Sequence, residues 1–203
     1  MNIRRSLPWI VLTGLVSLAA GVLLARMLAQ KPVALQSGTW LPQSRPLAPF
    51  RLTDLQGRPF ANSALLGHPS LVFFGFTYCP DVCPTTLATL REVLAQQPLA
   101  GLRVIFITVD PERDTPTTLR HYLGAFSPDF TGLYGAGREL APLMTSLGAI
   151  AVRQPLPDGG YTIDHSATLY LIDRHGRMAA VFSPPFAAAA LSADLKRVAQ
   201  APQ

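Results

Sequence analysis

Both cysteines of the 203-residue chain lie in Cys79-Pro80-Asp81-Val82-Cys83, two residues beyond the apolar run Leu71-Val72-Phe73-Phe74-Gly75-Phe76. An unbroken apolar run of strand length reads as a strand covered on both faces, here Ser70–Thr77. Leu87, Leu90, Val93 and Leu94 then recur at helical spacing over 84–96, with Pro84 expected at the first helical position, where its missing N–H costs nothing. A buried strand thus delivers two thiols to one turn where a helix begins. A disulfide there would close a loop of about five residues and contribute only about 2 kcal/mol, which argues against a structural staple. The thiols are left to act as a redox pair or to bind one soft metal ion together.

Strand and helix patterns alternate through the rest of the chain. Phe50-Arg51-Leu52 and Arg58-Pro59-Phe60 flank Asp54-Leu55-Gln56-Gly57, a hairpin signal with Gly in the turn. Strands are expected at 103–109, 150–153, 168–172 and 178–182, the last two joined by the turn Asp173-Arg174-His175-Gly176, and helices at 115–122, 138–147 and 187–198. A β-α-β start closed by an antiparallel hairpin and a helix is an α/β layered domain. Cysteines at a strand-to-helix turn in that setting suggest the thioredoxin-like class.

The N-terminus has a different composition. From Leu7 to Ala25 there are 19 residues without a charge, with Arg4 and Arg5 before them and Arg26 and Lys31 after. As a helix this stretch would be about 28 Å long, close to the ~30 Å hydrocarbon core of a bilayer. It is a membrane anchor or a signal peptide. It exceeds the usual h-region and ends without a clean small-x-small cleavage site, which favours an uncleaved transmembrane helix. The expected organisation is an anchor over 1–29, a Pro- and Gln-rich linker over 30–48 and a folded domain over 49–203. The flanking charges bias orientation only slightly, toward a cytoplasmic N-terminus with the bulk of the chain outside. The net charge of +5 is no nucleic-acid footprint. Without the four flanking basic residues the chain carries 13 basic against 12 acidic side chains, and no basic cluster with interleaved aromatics.

In the Cys-x-x-x-Cys turn the exposed N–H groups of a helix start favour thiolate over thiol. Two thiolates suit Cu(I) and accept Zn(II), and a third donor would have to come from elsewhere. His175 reads as a solvated turn residue, His68 as a loop residue before Pro69, and His121 as an ordinary helical histidine. Met27, Met144 and Met178 are weaker donors, the last two reading as core. His165, in Asp164-His165-Ser166 before the strand at 168–172, would lie beside the cysteine turn in a thioredoxin-like layout. Position alone leaves it as either a ligand or a hydrogen-bonded loop histidine.

Three segments carry a resemblance: Gly75-Phe76-Thr77-Tyr78-Cys79-Pro80-Asp81-Val82-Cys83-Pro84, then Val109-Asp110-Pro111-Glu112-Arg113-Asp114-Thr115-Pro116, then Asp164-His165-Ser166 ahead of Tyr170-Leu171-Ile172-Asp173. In this order, over roughly residues 45–200, the chain resembles the Sco/SenC family, whose members are membrane-anchored copper chaperones that help assemble cytochrome c oxidase. The resemblance implies a thioredoxin-like fold and Cys79, Cys83 and His165 as ligands of a copper ion, Cu(I) or Cu(II). It implies that Cys79 and Cys83 also form a redox-active disulfide pair. The implied client is the copper A centre on oxidase subunit II, with other copper chaperones as further partners. The implied location is the inner (cytoplasmic) membrane, single-pass, with the C-terminal domain in the periplasm.

The residues also permit a metal-independent thiol-disulfide oxidoreductase, which needs Cys79 and Cys83 but not His165. A peroxiredoxin-type peroxidase lacks its Thr-x-x-Cys loop here, and a closed structural zinc site needs four ligands where three are evident. Among the neighbouring residues, Asp81 either tunes the site or caps the following helix. Asp164 either orients His165 or caps a turn. Arg113 is expected in an ion pair with a nearby carboxylate, and Tyr78 either shields the site or packs.

Overall fold

The computed structural model describes Trp9 and residues 12–23, 34–157 and 159–200. It divides into an N-terminal unit ending at Val33 and a main unit from Ala34 to Ala201. In the first, residues 12–23 are helical with exposed side chains. The rest of the expected 1–29 anchor lies outside the described residues, apart from Trp9. Among the described residues no helix is long and apolar enough to cross a membrane.

The main unit is built on strands β1 (Gly38–Pro46), β2 (Arg51–Asp54), β3 (Pro59–Ala61), β4 (Ser70–Gly75), β5 (Arg103–Thr108), β6 (Thr131–Tyr134), β7 (Ala151–Pro155), β8 (Tyr161–His165), β9 (Leu169–Ile172) and β10 (Arg177–Phe182). Its helices are α1 (Val82–Ala95), α2 (Pro116–Gly124), α3 (Gly137–Leu147) and α4 (Ala188–Ala199). Eight strands form one sheet in the order β1-β10-β9-β4-β5-β6-β2-β3, and β7 and β8 form a separate antiparallel ribbon. β4 runs parallel to β5 and antiparallel to β9, so it sits in the middle of the sheet.

That central place explains the unbroken apolar run. Side chains alternate across a strand, so both faces of β4 need apolar residues. Leu71 and Phe73 join Val104 and Phe106 in a core beneath α1, α2 and α4, together with Leu87, Leu90, Leu119 and Leu195. Val72 and Phe74 join Ile105 and Ile107 on the other face, against Leu140, Leu143 and Leu147 of α3. The result is the expected α/β layering.

Several boundaries differ from the sequence expectation. Residues 38–46, expected within the linker, form β1, an edge strand antiparallel to β10. An edge strand tolerates proline, and the register breaks between Trp40 and Arg45, across Pro42. Gly38 makes the contact possible: a Cβ there would lie 2.4 Å from the Phe182 ring. Pro84 is the third residue of α1, not the first, because the helix starts at Val82. It stays within the first turn, where its missing N–H has no helical partner to lose. β6 and β8 were not expected. Both are short, and β8 interleaves polar residues with a single buried one, Ile163.

Candidate metal centre

The cysteine turn is shaped from below. Cys83, the second residue of α1, is fully buried against the sheet. A Cβ on Gly75 would fall 2.8 Å from the Cys83 sulfur and 2.8 Å from the Phe106 ring, so only glycine lets the helix start pack this closely on β4. Cys79 precedes the helix and is half-buried. Its Sγ accepts the backbone N–H of Cys83 at 3.4 Å, the kind of contact that a helix N-terminus offers a thiolate.

The third donor arrives from the other end of the domain. His165 ends β8, paired with Ala151 of β7, rather than lying in a loop. Its Nε2 stands 3.4 Å from Cys83 Sγ. Donor atoms of Cys79, Cys83 and His165 all lie within 4.8 Å of one another. The ring is seated edge-on against Phe73 and Phe76, with centroids 6.0 and 5.7 Å away. Its Nδ1 lies 3.2 Å from the Ser166 carbonyl. A proton on Nδ1 donated to that carbonyl leaves the Nε2 lone pair facing the sulfurs, the tautomer a metal ligand needs.

The two thiols divide their roles. Cys79 is lowered to about 4, first by a hydrogen bond from the Cys83 thiol, against the opposing effect of burial, and with help from His165 and the backbone N–H groups of Cys83 and Asp81. Cys83 is pushed up, first because its proton is the one shared with Cys79 and then by burial and the adjacent negative charge. The reduced pair therefore holds one proton and one accessible thiolate. Such a pair can open a disulfide or take up a soft cation, and the imidazole completes a three-donor set suited to Cu(I).

The remaining candidates fall away from the sulfurs. Asp81 occupies the N-cap position of α1 but its carboxylate makes no cap bond. Its carbonyl instead accepts the N–H and hydroxyl of Thr85. Asp164 is exposed, and of the two roles left open for it the orienting one falls to the Ser166 carbonyl, while Asp81 and Asp164 border the open groove beside Cys79 and His165. Tyr78 is 62% exposed and lies outside the core, with its ring centroid 4.7 Å from the Arg113 guanidinium carbon. Met178 is buried in the core and Met144 packs against it, as expected. His121 lies in the last turn of α2, and His175 in an exposed turn.

Two features of the surroundings go beyond the sequence reading. Asp114 is buried and accepts from the Thr77 N–H and hydroxyl and from the Thr108 hydroxyl at 2.6 Å, tying the cysteine loop to the end of β5. Burial raises its pKa, and the hydrogen bonds from Thr108 and Thr77 only partly offset this. Arg113 makes its expected ion pair, to the buried carboxylate of Asp110 at 2.5 Å, and is also surrounded by aromatic rings.

Comparison with known proteins agrees with this arrangement. The chain is 38% identical over 161 residues to a SCO2-like protein of Rickettsia prowazekii, covering 77% of this chain and 78% of the relative. It superimposes on Bradyrhizobium japonicum ScoI with copper bound at a TM-score of 0.67, with 45% identity, covering 74% of this chain and 98% of that one. It superimposes on yeast Sco1 with copper bound at a TM-score of 0.68, with 32% identity, covering 74% and 86% of the two chains. The fold is accordingly the thioredoxin-like fold of these proteins. The SCO1/SenC profile matches residues 41–200, nearly the whole main unit. By the match of that profile and by its relatives, this chain belongs to the SCO1/SenC family.

Proposed function

We propose that this protein binds copper through Cys79, Cys83 and His165 and serves cytochrome c oxidase assembly by delivering it to the copper A centre of subunit II. The observation that carries this reading is the imidazole. Its Nε2 is aimed at Cys83 Sγ from 3.4 Å, 82 residues along the chain, and it turns a pair of sulfurs into the three-donor set that a soft cation needs. Copper bound in the solved bradyrhizobial and yeast relatives supports copper as the cation. In this reading Cys79, half-buried beside an open groove, is where an incoming thiolate of the acceptor would first meet the cargo. Cys83 and His165, held from behind by the sheet, keep the site's shape as the cargo leaves.

The lowered pKa of Cys79 favours a second use of the same sulfurs, in reducing the client's cysteines. Attack of the Cys79 thiolate on a client disulfide would form a mixed disulfide. Cys83 would then displace the client thiolate, leaving Cys79–Cys83 oxidised and the client reduced by two electrons. The uncharged stretch 7–25 would anchor the protein in the inner membrane, with the main unit in the periplasm where the oxidase subunit presents its copper site.

Metal stoichiometry tests the reading. The reduced protein should take up one equivalent of copper, and Cys79→Ser, Cys83→Ser or His165→Ala should each bind measurably but too weakly to stay stoichiometric against a chelator that the parent outcompetes. Stoichiometric binding that survives His165→Ala rejects the ligand set. Full oxidase activity in cells carrying only the His165→Ala protein would favour the reductase instead.

A further inference from the structure

We infer that Arg113 is the positioning residue that locks the His165 arm onto the cysteine loop, acting on the metal site through Tyr161 rather than by touching it. This rests on the copper-site reading above.

His165 sits on a ribbon that belongs to no other sheet. β7 and β8 pair only with each other among the described strands. Along β8, residues 161, 163 and 165 share one face. Ile163 is buried and His165 meets the sulfurs, and on that face, about 13 Å from His165, stands Tyr161. Its ring lies 3.7 Å from the Arg113 guanidinium carbon, its carbonyl accepts from Arg113 Nη1 at 2.9 Å, and its hydroxyl donates to Asp110 Oδ1 at 2.9 Å. Asp110 returns to Arg113 through Oδ2, which closes a ring of contacts around a fully buried carboxylate.

The same guanidinium also reaches the cysteine loop. Its carbon is 4.7 Å from the Tyr78 ring centroid and 5.8 Å from that of Phe76, the residue whose ring also contacts the His165 imidazole. Arg113 therefore lies between the segment carrying Cys79 and the strand carrying His165. Arg153 of β7 adds a second link, stacking on Tyr161 at 4.0 Å and pairing with Glu112 at 2.7 Å. That ion pair is exposed, so its contribution is small. Arg113 Nη2 is buried with no hydrogen-bond partner among the described residues. The site thus uses the flat guanidinium faces as much as its hydrogen bonds, a geometry that the tetrahedral ammonium of lysine cannot copy.

Copper(I) affinity of the full chain in detergent, measured by competition with a chromophoric chelator without oxygen, tests this through a double-mutant cycle. Arg113→Lys and Tyr161→Leu should each weaken binding at least tenfold when His165 is present and less than twofold in a His165→Ala background. X-ray absorption of the copper-loaded Arg113→Lys protein should show a reduced nitrogen contribution with both sulfurs retained. Equal losses in both backgrounds would mark a general structural role and overturn the inference. So would unchanged binding in Arg113→Lys, or failure of both variants to fold. If His165→Ala binds copper as tightly as the parent, the ligand set itself fails. If His165→Ala is weak but Arg113→Lys is not, only the role of Arg113 fails.

Discussion

At the scale of single residues, one proton decides the chemistry of the cysteine pair. Cys79 accepts hydrogen bonds from the Cys83 thiol and the Cys83 backbone, and its pKa is lowered to about 4. A group with a depressed acidic pKa is charged above that value and loses its charge as pH falls through it. Alkylation of the reduced, metal-free protein by iodoacetamide should therefore modify Cys79 first and stay near its plateau rate down to about pH 5. An unperturbed thiol would instead lose about tenfold in rate per pH unit below its ordinary value of ~8.5. A rate that falls steadily from pH 8 would mean that Cys83 does not hold the shared proton. The two cysteines and their spacing were plain in the sequence. Which one is the thiolate was not, because that depends on Cys83 being buried over Gly75 while Cys79 stays half open.

At the scale of elements, the most consequential surprise is the N-terminal edge. Residues 38–46 look like linker because Pro42, Gln43 and Pro46 fall within them, yet they form β1 and hold the outer side of β10. Their entry is fixed by Asp194 of α4, whose fully buried carboxylate accepts the N–H groups of Gln36 and Ser37 and the Ser37 hydroxyl, with Arg197 alongside at 3.1 Å. Burial alone would raise this carboxyl, but the hydrogen bonds from Gln36 and Ser37 and the charge of Arg197 outweigh it and hold the pKa low. The stabilisation is therefore present above the ordinary carboxylate value of about 3.9 and is lost as pH falls through the lower folded value. Asp194→Ala should cost about 2 kcal/mol or more in urea unfolding at pH 7, with a shallower acid loss below pH 4 than the parent. A difference under about 0.5 kcal/mol would show that β1 is held by its strand pairing alone. No local pattern points to this contact, since its partners are 157 and 158 residues apart in the chain.

At the scale of the whole molecule, the chain has two parts with different solvents in prospect. The main unit from Ala34 to Ala201 carries its own two-faced core, and the uncharged stretch 7–25 lies outside it. If that stretch is an uncleaved anchor, the full chain should sediment with membranes and resist alkaline carbonate extraction. Added protease should digest the main unit only after the outer membrane is opened. Release of a shortened, soluble protein into the periplasm would instead identify the stretch as a cleaved signal.

The amino-acid order by itself determined the central strand, the thiol-bearing turn and the α/β succession apart from β1, β6 and β8, because periodic burial and helix-start chemistry are local properties of neighbouring residues. The motif order was enough to carry the family resemblance. Only the tertiary structure decided that the His165 ring points its Nε2 at the sulfurs, that Ser166 rather than Asp164 meets its other nitrogen, and that Arg113 joins the two segments. Those are contacts between segments tens of residues apart, and their geometry exists only once the sheet has set the distance between them.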